Sequence, residues 1–302
     1  MKRILLTGSN GFLGKVIFET QNNDKNIIFS LSRTRSVYNF SLEKAVPNFI
    51  YPFDLVVHAA GKAHSLPKTN IEKQEFYDIN VNGTINLLKG LEINVLPKQF
   101  VFISSVAVYG LETGFNIKED YSLLAKDPYG LSKIQAEKLI LDWCKKYNVI
   151  CTILRLPLIA GANPPGNLGA MIKGIKKGYY FNIAGGRAQK SMVLASDVAQ
   201  FILKGSEIGG IYNLTDGYNP SFNELSLTIS LQMGRKFVPN IPMVFAKVLA
   251  KIGDVVGAKF PINSNKLAKI IAPLTFDDSK ARKACGWNPS PVINGFKIKD
   301  ND

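Results

Sequence analysis

Short apolar runs alternate with helical patterns through the first half of the chain. Apolar runs that predict buried strands occupy residues 3–7, 26–32, 55–59, 100–105 and 149–154. Apolar positions recur at helical spacing in residues 11–20, 78–92 and 129–147. Strands joined by crossover helices form parallel sheets that carry helices on both faces. We therefore predict an α/β fold with a Rossmann-type, doubly wound parallel sheet.

The alternation ends at a segment rich in proline and glycine, GANPPG at residues 161–166. Such a segment indicates a boundary between lobes. Residues 1–161 are predicted to form the main lobe, and residues 162–302 mainly a smaller, mixed C-terminal lobe. Strand patterns at residues 192–195 and 211–214 predict that a segment of about 192–215 returns to the main lobe.

The smaller lobe includes an amphipathic helix at residues 242–256. One face carries Val244, Val248 and Ile252, and the other carries Lys247 and Lys251. Amphipathic helices usually pack their apolar face against their own core, so we expect a packed helix. The alternative is a helix that lies on a membrane surface.

Composition narrows the class of protein. Of the 302 residues, 46% are hydrophobic and 20% are charged, which is typical of globular chains. No apolar run has the roughly 18 residues that a membrane-spanning helix needs, and the start is too short for a secretory signal. We expect a soluble, cytoplasmic protein. The three cysteines are scattered and the two histidines form no ligand pattern, so neither a disulfide framework nor a metal site is expected.

The formal net charge of +14 favours an anionic partner. The lysines are dispersed, and no basic motif interleaved with aromatic residues is present, so we do not expect binding to nucleic acid. Phosphorylated small molecules fit better. The sequence leaves open whether the basic surface contacts a membrane and whether the protein is a homodimer.

The first predicted strand leads into a glycine-rich loop, TGSNGFLG at residues 7–14, which opens a helix. Gly8 permits a tight turn, Gly11 lets a pyrophosphate approach the backbone, and Gly14 lets the helix pack on the sheet. Free amides and the positive end of the helix dipole bind phosphate. A dinucleotide cofactor is therefore predicted to contact Gly8, Asn10, Gly11, Phe12, Leu13 and Gly14.

The loop and later motifs resemble the extended short-chain dehydrogenase/reductases, in particular the epimerase/dehydratase type that acts on sugar nucleotides. The motifs are HAAG at residues 58–61, DINVNGT at 78–84, SSVAVYG at 104–110 and PYGLSK at 128–133, with looser similarity up to CGWNP at 285–289. The resemblance implies an NAD(P)-dependent enzyme. It places His58, Ala59, Ala60 and Asn80 beside the cofactor, although an asparagine also forms local backbone hydrogen bonds readily.

Tyr129 and Lys133 lie four residues apart on one predicted helix and therefore share a face. A lysine ammonium near a phenol lowers the pKa of the phenol, which would make Tyr129 a usable proton donor and acceptor. The resemblance implies that Ser105, Tyr129 and Lys133 are catalytic and that Tyr129 and Lys133 also contact the cofactor. Val106 and Ala107 stand where related dehydratases carry an acidic pair, so dehydration is not expected.

The end of the second predicted strand suggests which dinucleotide is bound. The segment SLSRTR at residues 30–35 lacks the carboxylate that NAD-preferring relatives place there. Arginine grips phosphate through paired hydrogen bonds, so Arg33 is expected to bind the 2′-phosphate of NADP. NADP is favoured over NAD. The alternative is that Arg33 only stacks on adenine or faces solvent.

The candidate contacts of a nucleotide-sugar substrate rest on the resemblance and are Asn167, Lys190, Lys62 and His64. The first two fall on diphosphate-binding residues of related epimerases, and the last two follow the HAAG motif, where relatives contact the sugar. Each could instead lie in a turn or on the surface. The relatives' later Arg/Asp pair is not found. Ile270 falls near the Asp, and Lys266 and Lys269 are candidate substitutes.

Three functions follow as hypotheses. The favoured one is an NADPH-dependent reduction of a 4-keto sugar nucleotide in the synthesis of a cell-surface polysaccharide. The second is a UDP-sugar 4-epimerase that keeps NAD bound and returns the hydride to the other face of the sugar. The third is a non-catalytic dinucleotide-sensing module, which the retained Tyr129 and Lys133 argue against.

Overall fold

The computed structural model describes residues 1–63, 65, 67–257, 260 and 262–298. His64, one of the predicted sugar contacts, lies outside these residues. The strands are β1 (Lys2–Thr7), β2 (Asn26–Ser32), β3 (Tyr38–Asn39), β4 (Leu55–His58), β5 (Gln99–Ser105), β6 (Gly114–Ile117), β7 (Ile150–Leu156), β8 (Leu158–Ala160), β9 (Asn182–Ile183), β10 (Met192–Leu194), β11 (Gly210–Asn213), β12 (Asn240–Ile241) and β13 (Leu274–Phe276).

The helices cover the faces of the strands and build most of the C-terminal part. They are α1 (Phe12–Gln21), α2 (Asn70–Tyr77), α3 (Gly83–Glu92), α4 (Pro128–Tyr147), α5 (Gly166–Lys177), α6 (Ala195–Ile208), α7 (Phe222–Gln232), α8 (Met243–Val256), α9 (Ser264–Ile271), α10 (Ser279–Cys285) and α11 (Val292–Gly295). A π-helical turn at Asp78–Asn82 joins α2 to α3, and short 3-10 turns lie at Val106–Tyr109 and Ala184–Gly186.

Seven strands form one parallel sheet in the order β11-β7-β5-β4-β1-β2-β3. The predicted doubly wound Rossmann architecture is confirmed. The predicted strand near residue 211 joins the edge of this sheet as β11. Because β11 occupies the edge beside β7, the strand near residue 192 pairs elsewhere: β10 forms a two-stranded sheet with β8, although Val193 still packs in the main core.

Two buried clusters cover the two faces of the sheet. Successive residues of a strand point to opposite faces, so Leu6 joins one cluster and Leu5 the other. Helices α1 and α6 close the first face, and α3 and α4 close the second, where Ile140 and Trp143 pack against the sheet. Full burial of such side chains contributes about 1.5–3 kcal/mol each, which explains why the strands read as continuous apolar runs.

The residues beyond Gly161 have a core of their own. Its members come mainly from α5 and α7, with Phe296 from the chain after α11. Helix α8 packs on α9 through the small residues Ala246 and Ala250 rather than through its larger apolar residues. The expectation that its large apolar face is packed is therefore wrong. Among the described residues, no helix combines the length and apolar character needed to cross a bilayer.

Candidate active site

The order of strands reverses between β1 and β4, and these two strands end side by side, with Thr7 paired to His58. In open α/β sheets the crevice at such a reversal receives the ligand. The glycine loop follows β1 and the segment from Ala59 follows β4. A Cβ atom added to Gly8, whose φ is +71°, would lie 2.6 Å from the amide nitrogen of Ala60, so only glycine lets the two segments meet.

The glycine loop has the features of a phosphate cradle. Gly11 precedes α1 as its N-cap and supplies no side chain to the first helical amides, which belong to Phe12, Leu13 and Gly14. The hydroxyl of Ser9 is buried, and it has no hydrogen-bond partner among the described residues. Unpaired buried polar groups are costly, and helix amino termini attract anions. The residues present therefore fit a dinucleotide whose pyrophosphate is held at this loop.

Asn10 ties the loop to the end of β2. Its side-chain amide donates hydrogen bonds to the Ser32 hydroxyl, 2.8 Å away, and to the carbonyl oxygen of Thr34. A cavity of about 470 Å³ opens here between Asn10, Lys15, Thr34 and Arg35. Arg33, the predicted phosphate contact, is exposed and does not line this cavity. The two cations that do line it are Lys15 and Arg35.

The imidazole of His58 faces the interior rather than the crevice. Thr7 accepts a hydrogen bond from the Ala60 amide and donates its own proton to Nδ1 of His58, at 2.7 Å. Nε2 donates to the Thr84 hydroxyl at 3.0 Å, and Thr84 in turn donates to the carbonyl oxygen of Asn80. Burial lowers the pKa of His58 to about 3, with a smaller contribution from Lys133. His58 is a neutral structural link, which leaves only its main chain to contact a cofactor.

The predicted catalytic residues come from β5 and α4. Helix α4 starts at Pro128 because Asp127 caps it, accepting a hydrogen bond from the Gly130 amide at 3.0 Å. This start places Tyr129 in the first turn, where its hydroxyl lies close enough to that of Ser105, at the end of β5, for Ser105 to lower its pKa.

One turn later on α4, the ammonium of Lys133 is almost completely buried. It donates a hydrogen bond to the carbonyl oxygen of Ile103, 2.9 Å away, and lies 4.6 Å from the centre of the Phe102 ring. The fold thus brings the side chains of Ser105, Tyr129 and Lys133 to the carboxyl end of β5.

The protonation of these groups departs from the sequence-based expectation. Burial raises the pKa of Tyr129, and Ser105 offsets this only in part. The predicted lowering of that pKa by Lys133 is not found, because the ammonium is turned towards the carbonyl of Ile103. The pKa of Lys133 is itself lowered to about 8, chiefly by burial, while Glu137 acts in the opposite direction. Tyr129 is therefore a neutral phenol at pH 7, suited to donate a proton.

Asn80 fixes the loop after β4 against the catalytic helix. Its Oδ1 accepts from the Lys62 amide at 2.7 Å, and its Nδ2 donates to the Lys62 carbonyl oxygen at 3.1 Å and to the Ser132 hydroxyl at 2.8 Å. The π-helical turn at Asp78–Asn82 directs Asn80 into this position. Asn80 therefore binds the main chain of Lys62, 18 residues away, and not the neighbouring backbone groups that were the alternative considered from sequence. The link to Ser132 was not predicted.

A buried polar network beneath the catalytic residues was also missed. Glu137, one turn after Lys133, accepts from the Ser104 hydroxyl and pairs with Arg155 of β7. Arg155 also donates to the Tyr109 hydroxyl, which donates to the side chain of Asn213. The sequence held one indication of this network: Glu137 lies four residues after Lys133 and therefore shares its buried helix face.

The predicted substrate contacts lie on separate elements. Lys62 forms an ion pair with Glu75, and Asn167 is exposed in the first turn of α5. The half-buried ammonium of Lys190 donates to the carbonyl oxygen of Lys269 at 3.3 Å, and burial lowers the pKa of Lys190.

A cavity of about 490 Å³ beside the Pro/Gly segment contains none of the catalytic residues. It is lined by Asn163, Pro164, Gly169, Ile172, Lys173, Lys176, Met233, Arg235, Phe296 and Ile298. The larger cavity is therefore not the place of the predicted chemistry, which lies at the carboxyl end of β5.

Comparison with known proteins identifies the family of the chain. A family model described as "NAD dependent epimerase/dehydratase family" matches residues 4–214. The chain is 29% identical to an N-acetyl-alpha-D-glucosaminyl-diphospho-ditrans,octacis-undecaprenol 4-epimerase of Escherichia coli O157:H7, over 97% of this chain and 92% of the relative. It is 25% identical to a UDP-glucose 4-epimerase of Vibrio cholerae, over 98% and 94% of the two chains.

Solved structures share the fold and hold nicotinamide dinucleotides of both kinds. RMD of Pseudomonas aeruginosa, complexed with NADPH, superposes with a TM-score of 0.73 at 20% identity, covering 97% of this chain and 95% of that one. WbmG of Bordetella bronchiseptica, complexed with NAD and UDP, gives 0.72 at 19% identity, covering 97% and 93%. A nicotinamide dinucleotide is therefore supported as the cofactor.

Proposed function

The chain belongs to the NAD dependent epimerase/dehydratase family, and from this premise we propose that it is a 4-epimerase of a hexose carried on a diphosphate group. The carrier beyond the diphosphate is a nucleoside or a polyprenol, because one of the two relatives is a UDP-glucose epimerase and the other an undecaprenol-linked one. This proposal reverses the preference from sequence, which favoured a 4-keto reductase.

One observation carries the proposal. The side chains of Ser105, Tyr129 and Lys133 lie at the carboxyl end of β5, in a chain that matches two 4-epimerases over nearly their whole length. Epimerisation needs one group that takes and returns a proton at the O4 oxygen while hydride leaves C4 and comes back. A bound nicotinamide dinucleotide would supply the hydride acceptor and donor, with no net oxidation.

The chain's own residues would handle the proton. Ser105 would hydrogen-bond the O4 oxygen and orient it towards Tyr129. Tyr129 would accept the hydroxyl proton as the carbonyl forms and return it after the sugar has presented its other face. Lys133 would favour the phenolate form once its ammonium turns from the Ile103 carbonyl towards the phenol, because an adjacent positive charge stabilises a phenolate.

A second function is favoured by the cavity at the end of β2. Lys15 and Arg35 give this cavity two cations, which suit the extra 2′-phosphate of NADP. A dissociable NADPH would reduce a 4-keto sugar once and leave, which is the reductase reaction.

The test uses purified protein with no added cofactor. Three substrates are offered separately: UDP-glucose, UDP-N-acetylglucosamine, and N-acetylglucosamine on undecaprenyl diphosphate in detergent. Formation of the C4 epimer, followed by NMR, supports the epimerase, and the preferred substrate identifies the carrier. The dinucleotide released on denaturation is identified by chromatography.

Two results would overturn the epimerase. If no epimer forms, and a second assay with added NADPH and a 4-keto sugar nucleotide consumes the two in a one-to-one ratio, the reductase replaces the epimerase. If the protein binds dinucleotide and turns over none of these compounds, it is a binding module. The Tyr129→Phe variant controls for contaminating epimerases, because it should lose activity while keeping the dinucleotide.

A further inference from the structure

Helix α8 has an apolar face that no part of the described chain covers. The helix packs on its neighbours through Ala246, Ala250 and Gly253, which recur at helical spacing. A Cβ atom on Gly253 would lie 1.8 Å from the carbonyl oxygen of Ile262, so the helix sits close to the chain beneath it. Small residues therefore form the whole inward face, and the large apolar residues point outwards.

The outward side chains form one continuous surface. At roughly 100° per residue they fill an arc of about 140° opposite the inward face. Their exposed fractions run from 37% for Leu249 to 88% for Val255. We call this surface the α8 face; its members are Val244, Phe245, Val248, Leu249, Ile252, Val255 and Val256. Soluble proteins rarely leave so large an apolar cluster in water without a partner.

One edge of the α8 face carries two lysines, and Asp254 lies next to them round the helix. Lys247 and Lys251 lie at its edge on the same helix, and neither forms an ion pair with any described residue. The chain as a whole carries a net charge of +14. An aliphatic face bordered by lysines is typical of helices that lie in the surface of an anionic bilayer, where the side chains enter the acyl boundary and the ammonium groups meet the headgroups.

The chain that leads into α8 adds exposed aromatic residues. Strand β12, which precedes α8, pairs with β9, and the amide of Asn182 donates to the carbonyl oxygen of Pro239 at 2.8 Å. Phe181 and Phe237, beside these contacts, are 45% and 72% exposed. Aromatic side chains bind readily at the bilayer interface, so these two extend the apolar surface beyond α8.

The α8 face is also linked to the substrate side of the molecule. Helix α9, on which α8 packs, ends near the carbonyl oxygen of Lys269 that accepts the Lys190 hydrogen bond. Lys190 is the residue predicted to contact the substrate diphosphate. A protein docked through α8 would thus hold the predicted diphosphate contact one helix away from the headgroups.

We propose that the α8 face is a docking surface for an anionic lipid bilayer. The apolar residues supply insertion, and Lys247, Lys251 and the positive net charge supply attraction to the headgroups. A second copy of this chain is the competing occupant, but two such faces would bring their bordering lysines and two strongly positive molecules together. That repulsion favours the bilayer.

The experiment measures flotation of the full chain with vesicles, with no substrate present, so that its outcome is independent of the proposed epimerase activity. Vesicles contain phosphatidylcholine alone or phosphatidylcholine with phosphatidylglycerol. The test variant is Val248→Glu/Ile252→Glu, and its matched control is Ile71→Glu/Val95→Glu, which makes the same charge change at exposed apolar residues elsewhere. Circular dichroism and thermal unfolding check that each variant is folded.

We expect the wild type and the control to bind the anionic vesicles and to bind neutral vesicles at least tenfold more weakly. The test variant should lose at least tenfold in binding. Lys247→Gln/Lys251→Gln should lose about 25-fold in binding to anionic vesicles only, because each interfacial lysine contributes about fivefold.

Three results would overturn the proposal. The first is that the wild type does not bind vesicles. The second is that the control variant loses as much vesicle binding as the test variant. The third is that the wild type binds neutral and anionic vesicles equally. Light scattering measures the oligomeric state and so tests the competing occupant. If the wild type is a dimer that does not bind vesicles, and Val248→Glu/Ile252→Glu is a monomer, the α8 face would be assigned to a second copy.

Discussion

Arg155 and Glu137 form an ion pair, with both side chains only 3% exposed, between strand β7 and helix α4. The guanidinium reaches both carboxylate oxygens, through Nε at 3.1 Å and Nη2 at 2.8 Å. Glu137 also lies one turn after Lys133 and accepts from Ser104, the neighbour of Ser105. The pair therefore anchors the helix that carries Tyr129 and Lys133 to the strands that carry Ser105.

Removing one partner of this pair should destabilise the protein strongly. Arg155→Met leaves the Glu137 carboxylate buried and unpaired, which typically costs about 3–5 kcal/mol of unfolding free energy. The measurement is urea unfolding followed by circular dichroism. The double variant Arg155→Met/Glu137→Leu should recover part of the loss, because no charge remains buried. A single-variant loss below about 1 kcal/mol would show that the pair does not anchor α4.

The sequence predicted those parts of the molecule that depend on local pattern. Apolar runs and helical spacing located the strands and helices of the main sheet within a few residues, because strands covered on both faces must be apolar throughout. The pattern around Tyr129 and Lys133 predicted the helix that carries both residues, which is α4. Its start follows from Asp127 and Pro128, which act on adjacent residues.

The features that the sequence analysis did not predict depend on contacts between segments that are distant in the sequence. Arg155 and Glu137 meet only after β7 has joined the sheet beside β5. The prediction that Lys133 lowers the pKa of Tyr129 was wrong. The effect depends on the direction of the Lys133 side chain, which the four-residue spacing in the sequence does not determine. The face of α8 that packs inwards was likewise set by the close approach at Gly253, and an amphipathic pattern does not reveal this.

Tyr129→Phe should remove turnover and leave the fold and dinucleotide binding intact. The ring remains, and only the hydroxyl beside Ser105 is lost. General acid–base groups typically contribute about 10²- to 10⁴-fold to rate. The measurement is kcat at saturating substrate, with dinucleotide affinity as the control. A kcat near that of the wild type would exclude Tyr129 as the proton-transfer group.

Gly11→Val should abolish dinucleotide binding with little loss of stability. Gly11 has an ordinary φ of −71°, and the nearest atom to an added Cβ is the Gly8 carbonyl oxygen at 3.1 Å. The valine side chain would instead occupy the space where a pyrophosphate meets the loop. Gly14→Ala is the contrast, because its Cβ would lie 2.1 Å from that same oxygen and should destabilise the fold. Calorimetric titration that gives unchanged affinity for Gly11→Val would show that phosphate binds elsewhere.

Acid should destabilise the native state through His58. Its pKa is lowered from 6.5 to about 3, so between these values the unfolded chain binds a proton that the native ring does not. The stability contributed by the neutral ring is complete above pH 6.5 and is lost as the pH falls towards 3. One proton corresponds to about 1.4 kcal/mol per pH unit. In His58→Gln, the slope of unfolding free energy between pH 6.5 and about 4.5 should be smaller by that amount, and equal slopes would contradict this.

The last prediction concerns which arginine selects the cofactor. The end of β2 normally lies against the adenine ribose, where a carboxylate would hold the hydroxyls and repel a 2′-phosphate. Both arginines of this segment are exposed, but Arg35 lines the cavity there with Lys15 and Arg33 does not. A charge-assisted arginine–phosphate contact contributes on the order of 1.5–3 kcal/mol, or about ten- to a hundredfold in affinity.

The wild type, stripped of dinucleotide, should therefore prefer NADPH over NADH by about that factor. Arg35→Ala should remove most of the difference and leave NADH affinity nearly unchanged, and Arg33→Ala, the matched control, should retain most of it. Both affinities are measured by fluorescence titration at one fixed salt concentration, because salt screens the contact. Equal wild-type affinities, or equal losses in the two variants, would mean that Arg35 does not bind the 2′-phosphate. The cavity cations would then no longer favour the NADPH-dependent reductase, and an epimerase that retains NAD would explain the site better.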